Sequence, residues 1–93
     1  MRVLTFNVLC PEYKRVDGGG RESDDVDAAL ERQGRVLDLI ASDAPDVLCV
    51  QEFWHADEKV RGLWLERLEQ SGYEVRWTPR TGGRCDGLPT AGR

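Results

Sequence analysis

The sequence contains little cysteine and histidine, and it has no long apolar run. Among its 93 residues are three cysteines, none in a Cys-x-x-Cys pair, and one histidine. An odd number of cysteines does not fit the paired disulfide framework of a small secreted domain, so a reducing, intracellular compartment is expected. The cysteines do not indicate which intracellular compartment this is. No run of about 18 apolar residues is present, so no membrane-spanning helix is expected. The N-terminus also lacks the apolar stretch and cleavage site of a signal peptide.

The charge balance is acidic. The chain has 13 Lys and Arg against 17 Asp and Glu, a formal net charge of −4, with 32% charged and 40% hydrophobic residues. This composition is typical of a soluble globular chain, and residues 1–93 are too few for two ordinary domains but enough for one modest core. An acidic chain does not hold nucleic acid by bulk electrostatics. If it meets phosphates, it must do so through a cation that it first binds.

The hydrophobic pattern predicts alternating strands and helices. In the first strand Leu4, Phe6 and Val8 share one face. In the first helix Gly34 is unfavourable in a helix interior, so it indicates a close packing contact. The four apolar residues of the second strand are typical of a strand covered on both faces. The predicted elements are a strand at Val3–Leu9, a loop over 11–22, a helix from about Ser23–Asp25 to Ala44, a strand at Val47–Val50, a helix at Asp57–Gln70 and a strand at Tyr73–Trp77.

This order predicts an α/β fold in which a right-handed crossover makes the first two strands parallel. The carboxyl ends of parallel strands meet at one edge of a sheet, where ligands bind in open α/β folds. Asn7 lies near the end of the first strand, and Gln51 and Glu52 follow the second. Amide and carboxylate oxygens are the donors that Mg²⁺ or Ca²⁺ prefers. A strand that simply runs into solvent would also turn polar at its end, and periodicity alone leaves both interpretations open.

Two motifs resemble a known superfamily. Phe6–Leu9 resembles the opening motif, and Pro45–Glu52 the second motif, of the endonuclease/exonuclease/phosphatase superfamily, which has a deoxyribonuclease-I-like fold. The similarity extends through residues 21–24, 52–54 and 80–88 and covers nearly the whole chain. In this form it is similar to uncharacterised plant and algal members, some of which carry calcium-binding segments. The resemblance implies the N-terminal part of an α/β four-layer sandwich, incomplete in this chain.

The resemblance also implies site residues and a cofactor. Glu52 would be a ligand of catalytic Mg²⁺ (or Mn²⁺), and Asn7 would ligate the ion or hold its surroundings through a hydrogen bond. The substrate would be a phosphodiester or phosphomonoester, such as RNA, DNA, a phospholipid or an inositol phosphate. Arg80 and Arg84 are candidates for binding substrate phosphate, although a solvated loop is the favoured explanation of both arginines. Asp86 falls near the substrate edge.

Other features of the superfamily are absent from these 93 residues. Its members need a later Asp-x-Asn pair and a terminal Asp-His pair, so this chain alone is expected to be inactive and to need the C-terminal half or a partner chain. Half a sandwich would also leave one sheet face uncovered, with exposed apolar surface. Pro89 falls where the family has an apolar strand residue, which puts the last strand in doubt. The alternative is a non-catalytic binding or scaffold module that docks a partner through the uncovered sheet.

Overall fold

The computed structural model describes residues 1–78, 86–87 and 89–93. It contains six strands and two helices within these ranges. The strands are β1 (Val3–Asn7), β2 (Val47–Gln51), β3 (Phe53–Trp54), β4 (Glu74–Arg76), β5 (Asp86–Gly87) and β6 (Thr90–Gly92), and the helices are α1 (Val26–Asp43) and α2 (Glu58–Gln70). No helix among the described residues is long and apolar enough to cross a membrane.

The main sheet has the order β1-β2-β6-β4. β1 and β2 are parallel, as predicted, and pair in register from Val3 opposite Val47 to Asn7 opposite Gln51. β6 runs antiparallel to both β2 and β4, so the last strand lies between two earlier ones. β3 and β5 form a separate two-stranded antiparallel sheet. The α/β class and the parallel first pair are therefore confirmed, within a sheet of mixed direction.

The boundaries of both helices follow from their local sequences. Asp25, one residue beyond the predicted cap, accepts a hydrogen bond from the N–H of Ala28, and Asp57 caps α2 by accepting one from Val60. These bonds satisfy backbone donors that the first helical turn leaves free. α1 stops before Pro45, with Ala44 in the left-handed conformation. The predicted helices are thus confirmed to within a few residues.

The core lies between the helices and one face of the main sheet. The predicted apolar side of α1 is buried and joins Leu48, Val50 and Trp64 in one cluster, with Leu4 and Phe6 packed against it. Gly34 does not mark a close contact, because a Cβ there would meet nothing within 4 Å in the described part of the chain. That prediction was wrong, and the glycine instead faces open space between the helices.

The opposite face of the main sheet is open among the described residues. Val3 is 59% exposed, and Val47 and Cys49 are half-buried, although β2 was predicted to be covered on both faces. The burial alternates along β2 because the helices cover only the side that carries Leu48 and Val50. The expected exposed apolar surface is present, but it is not continuous. The face that carries Val3 and Val47 also carries the polar residues Thr5, Asn7, Glu74 and Arg76.

Three segments depart from the sequence-based prediction. The loop after β1 contains a backbone bridge between Arg15 and Arg21 and a 3-10 turn at Glu22–Asp24, so it is an ordered connection. Pro89 does not abolish the last strand: it precedes β6, and its carbonyl accepts a hydrogen bond from the N–H of Val50. Proline is compatible with a strand start, where no ladder donor is needed. The short strands β3 and β5 were not predicted.

Candidate metal site at the edge of the parallel strands

Asn7 and Glu52 meet at the carboxyl ends of β1 and β2. The Asn7 Nδ2 group donates a hydrogen bond to Glu52 Oε2, although the two residues lie 45 positions apart. Asn7 is exposed and Glu52 is half-buried, so the contact is open to solvent and solutes. The bond to Oε2 leaves the second carboxylate oxygen of Glu52 able to coordinate a cation. The structure thus brings together the two residues that the sequence analysis proposed as a pair.

A turn after β1 fixes the orientation of the Asn7 side chain. The N–H of Leu9 donates to Asn7 Oδ1 at 2.9 Å, which is an Asx-turn. This bond draws Leu9 out of the strand, and its φ is +50°. Because of the turn, β1 ends at Asn7 rather than at the predicted Leu9. With its oxygen held by the backbone, the amide presents its NH₂ group to Glu52.

The backbone of Glu52 is also in an uncommon conformation. Gln51 pairs with Asn7 in the last register position of the parallel pair, and Glu52 follows with a φ of +55°. In a continuing strand Glu52 would lie on the helix-covered side, by alternation. The left-handed residue interrupts the strand instead, and the carboxylate reaches Asn7. Such conformations cost of order 1–3 kcal/mol in a residue with a Cβ and concentrate at functional sites.

Trp54 and Glu12 brace the polypeptide just beyond Glu52. Trp54 is 7% exposed, and its Nε1 donates to Glu12 Oε2 at 2.7 Å. This hydrogen bond joins β3, which follows Glu52, to the loop that follows Asn7 and β1. Trp54 therefore acts in packing. Sequence reasoning did not find Glu12, because nothing in its local pattern distinguishes it from the other charges of the loop.

His55 lies in the turn after β3 and packs beside Trp77, with ring centroids 6.1 Å apart. Its Nδ1 atom is buried and has no hydrogen-bond partner among the described residues. A Cβ at Gly87 would lie 3.1 Å from both the His55 Cβ and the Thr78 carbonyl oxygen, so a larger residue there would require these neighbours to move by a few tenths of an ångström. His55 is therefore a turn residue that packs against Trp77.

The other predicted site residues are not placed by the structure. Arg80 and Arg84 lie outside the described residues. For Asp86 only the backbone is described. It pairs in the small sheet with Trp54, and Trp54 lies two residues after Glu52. Within the described ranges no group of three or more His, Cys, Asp or Glu side chains is arranged to hold a metal ion.

The donors at this edge are oxygen atoms, which hard cations such as Mg²⁺ prefer. Mg²⁺ keeps several waters and is commonly held by one or two carboxylates together with substrate phosphates. One oriented carboxylate, open to solvent at a sheet edge, is compatible with that mode of binding. The described residues do not form the closed cage of protein ligands that is typical of structural zinc sites.

Comparison with known proteins identifies the family. The profile of the Endonuclease/Exonuclease/phosphatase family matches residues 4–90. The chain belongs to this family. The match includes both Asn7 and Glu52, and it confirms the resemblance drawn from the two sequence motifs.

A curated relative and two solved structures extend the comparison. An uncharacterised calcium-binding protein of Arabidopsis thaliana is 42% identical over 90 residues, which are 94% of this chain and 19% of the relative. The fold is similar to that of ANGEL2, a 2′,3′-cyclic phosphatase, with a TM-score of 0.73 at 21% identity over 98% of this chain and 26% of that one. The human Nocturnin catalytic domain with bound sulfate gives 0.64 at 24% identity, over 98% and 31%. The chain thus spans about a fifth of the length of its curated relative.

Proposed function

We propose that this chain forms the N-terminal part of a Mg²⁺- or Mn²⁺-dependent phosphoester hydrolase of the nuclease or phosphatase type. The observation that carries the proposal is the contact between Asn7 and Glu52, which orients a carboxylate at the end of the parallel strands. Membership of the Endonuclease/Exonuclease/phosphatase family supports the reaction class. The acidic net charge of −4 also suits a protein that meets phosphates through a bound cation rather than through basic side chains.

In this proposal Glu52 binds the cation, and Asn7 holds the carboxylate in place. A divalent cation at Glu52 would neutralise charge on the phosphoester while a water attacks phosphorus in line with the leaving oxygen. Asn7 restrains Glu52 by donating to Oε2, so less rotational freedom is lost when the ion binds. The groups that activate the water and contact the leaving group would come from the rest of the domain, so this chain alone is expected to be inactive.

The substrate is proposed only as a class. A phosphodiester or phosphomonoester fits the chemistry, and RNA ends are a reasonable first choice because ANGEL2 is described as a 2′,3′-cyclic phosphatase. Arg80, Arg84 and Asp86 remain candidates for contacts with that substrate. The alternative function, a scaffold that docks a partner on the open sheet face, needs neither Glu52 nor a cation.

A chimera with the Arabidopsis relative tests the proposal. This chain would replace the matching segment of that protein, with which it shares 42% identity over 90 residues. We expect Mg²⁺-dependent hydrolysis of a 2′,3′-cyclic phosphate or a model phosphodiester, measured as product release. Glu52→Gln in the chimera should lower kcat at least about 100-fold, because the metal ligand is lost, whereas Glu69→Gln on the exposed side of α2 should leave it unchanged.

Two outcomes would contradict the proposal. One is a folded chimera that is inactive although the intact Arabidopsis protein hydrolyses the same substrate. The other is a Glu52→Gln chimera as active as its parent, which would favour the scaffold function for this segment.

A further inference from the structure

Arg32 of α1 contacts the turn that orients Asn7. Its side chain is 18% exposed and forms an ion pair with Glu22, which is 6% exposed. Arg32 Nε contacts both oxygens of the Glu22 carboxylate, at 3.0 and 2.8 Å, and Nη2 contacts one of them at 2.8 Å. The remaining donors go to backbone: Nη1 to the carbonyl of Val8 at 2.8 Å, and Nη2 to that of Leu9 at 2.6 Å.

Those two carbonyls belong to the turn at the candidate metal site. Leu9 has a φ of +50°, which is unfavourable for a leucine and persists only when surrounding contacts enforce it. The N–H of the same residue holds Asn7 Oδ1, and the N–H of Val8 donates to the Gln51 carbonyl at 3.0 Å. Arg32 therefore binds the Val8 and Leu9 carbonyls of this turn. The N–H of Leu9 in the same turn orients Asn7.

The ion pair also joins the end of the β1–α1 connection to α1. Glu22 lies in the 3-10 turn that precedes α1, and its N–H donates to the Lys14 carbonyl at 2.9 Å. Arg32 lies on the helix, three residues after buried Ala29 and four before buried Val36. A buried carboxylate thus holds the guanidinium in position from one side, while the guanidinium holds the Val8–Leu9 turn from the other.

We propose that Arg32, held by Glu22, is a positioning residue for the metal site, acting through the Leu9 turn and the Asn7 amide on the Glu52 carboxylate. The inference rests on the proposed function for the metal, but the positioning itself is a property of the metal-free chain. A guanidinium contacts a carboxylate and two carbonyls at once, whereas a lysine ammonium is a single point charge. Arg32→Lys therefore keeps the charge opposite Glu22 and releases the turn.

The test compares the full chain with its Arg32→Lys variant in two measurements. In the absence of metal, ¹⁵N NMR should show the Leu9 amide exchanging at least about tenfold faster, and the Asn7 side-chain NH₂ signals moving toward free-amide positions. Titration with Mn²⁺, followed by EPR of the free ion, should give a dissociation constant about tenfold higher, as for residues that orient metal ligands. Arg35→Lys is the matched control, since Arg35 pairs with Glu31 on the exposed side of the same helix.

Unchanged Leu9 exchange and Asn7 signals in Arg32→Lys would overturn the inference, even if the variant melted at a lower temperature, because the turn would then keep its geometry without the guanidinium. Failure of the parent chain to bind Mn²⁺ would instead contradict the proposed function, and the metal-free signals would still decide the role of Arg32. If Arg32→Lys does not fold, Glu22→Gln takes its place. It should move the same signals in the same direction by a smaller factor, and unchanged signals would overturn the inference.

Discussion

Glu52→Gln is expected to weaken Mg²⁺ or Mn²⁺ binding to this chain at least about 100-fold, because a neutral amide replaces the charged oxygen ligand. The substitution conserves the size of the side chain, and the glutamine carbonyl can still accept the hydrogen bond from Asn7 Nδ2. The fold should therefore persist while the affinity is lost. Isothermal titration with Mg²⁺, or EPR with Mn²⁺, measures the change.

Glu69→Gln is the control for this prediction. Glu69 is an exposed residue near the end of α2, and the substitution changes the net charge by the same amount. Its metal affinity should equal that of the parent chain. Equal weakening in both variants would mean that the cation responds only to overall charge, and an unaffected Glu52→Gln variant would place the cation elsewhere.

Trp64→Phe is expected to lower the free energy of unfolding by about 2–4 kcal/mol, the largest stability effect anticipated for a single conservative change in the core. Trp64 is 0% exposed, and its ring meets Phe53 edge to face at 5.2 Å. Its Nε1 donates to Gln33 Oε1 at 2.7 Å. Phenylalanine leaves a void and also removes the donor that satisfies the buried Gln33 carbonyl. Urea unfolding followed by circular dichroism measures the loss.

A double variant separates the two contributions. Gln33 is 1% exposed, and its Nε2 atom has no hydrogen-bond partner among the described residues. Adding Gln33→Leu to Trp64→Phe removes the unsatisfied amide altogether, so part of the stability should return. A single variant that loses less than about 1 kcal/mol, or a double variant less stable than the single one, would contradict this account of the core.

The sequence was sufficient to predict that Asn7 and Glu52 meet. That expectation needed only two strands, an amphipathic helix between them and the handedness of the crossover. The period of the apolar residues in α1 is strong because its buried side is continuous from Ala29 to Ile40. Patterns of this kind specify long elements well, and the pairing of the first two strands follows from them.

The local geometry of the site could not be predicted in the same way. The left-handed backbone at Leu9 and Glu52 arises from hydrogen bonds and strand pairing that no local pattern encodes, since neither residue type favours it. Arg32 gave one signal, a charge at the border of an apolar arc, but its partner Glu22 lies in an irregular segment. The strand β6 consists of three residues placed by pairing with distant strands, which is too short for its alternation to be recognised.

In the proposed function, Glu52, oriented by Asn7, binds a divalent cation at the carboxyl edge of the parallel strands. An anomalous difference map from a crystal of this chain soaked in Mn²⁺ tests it most directly. We expect a peak about 2.0–2.3 Å from a carboxylate oxygen of Glu52. A map with peaks only at other carboxylates, such as the acidic residues at the start of α1, would contradict it.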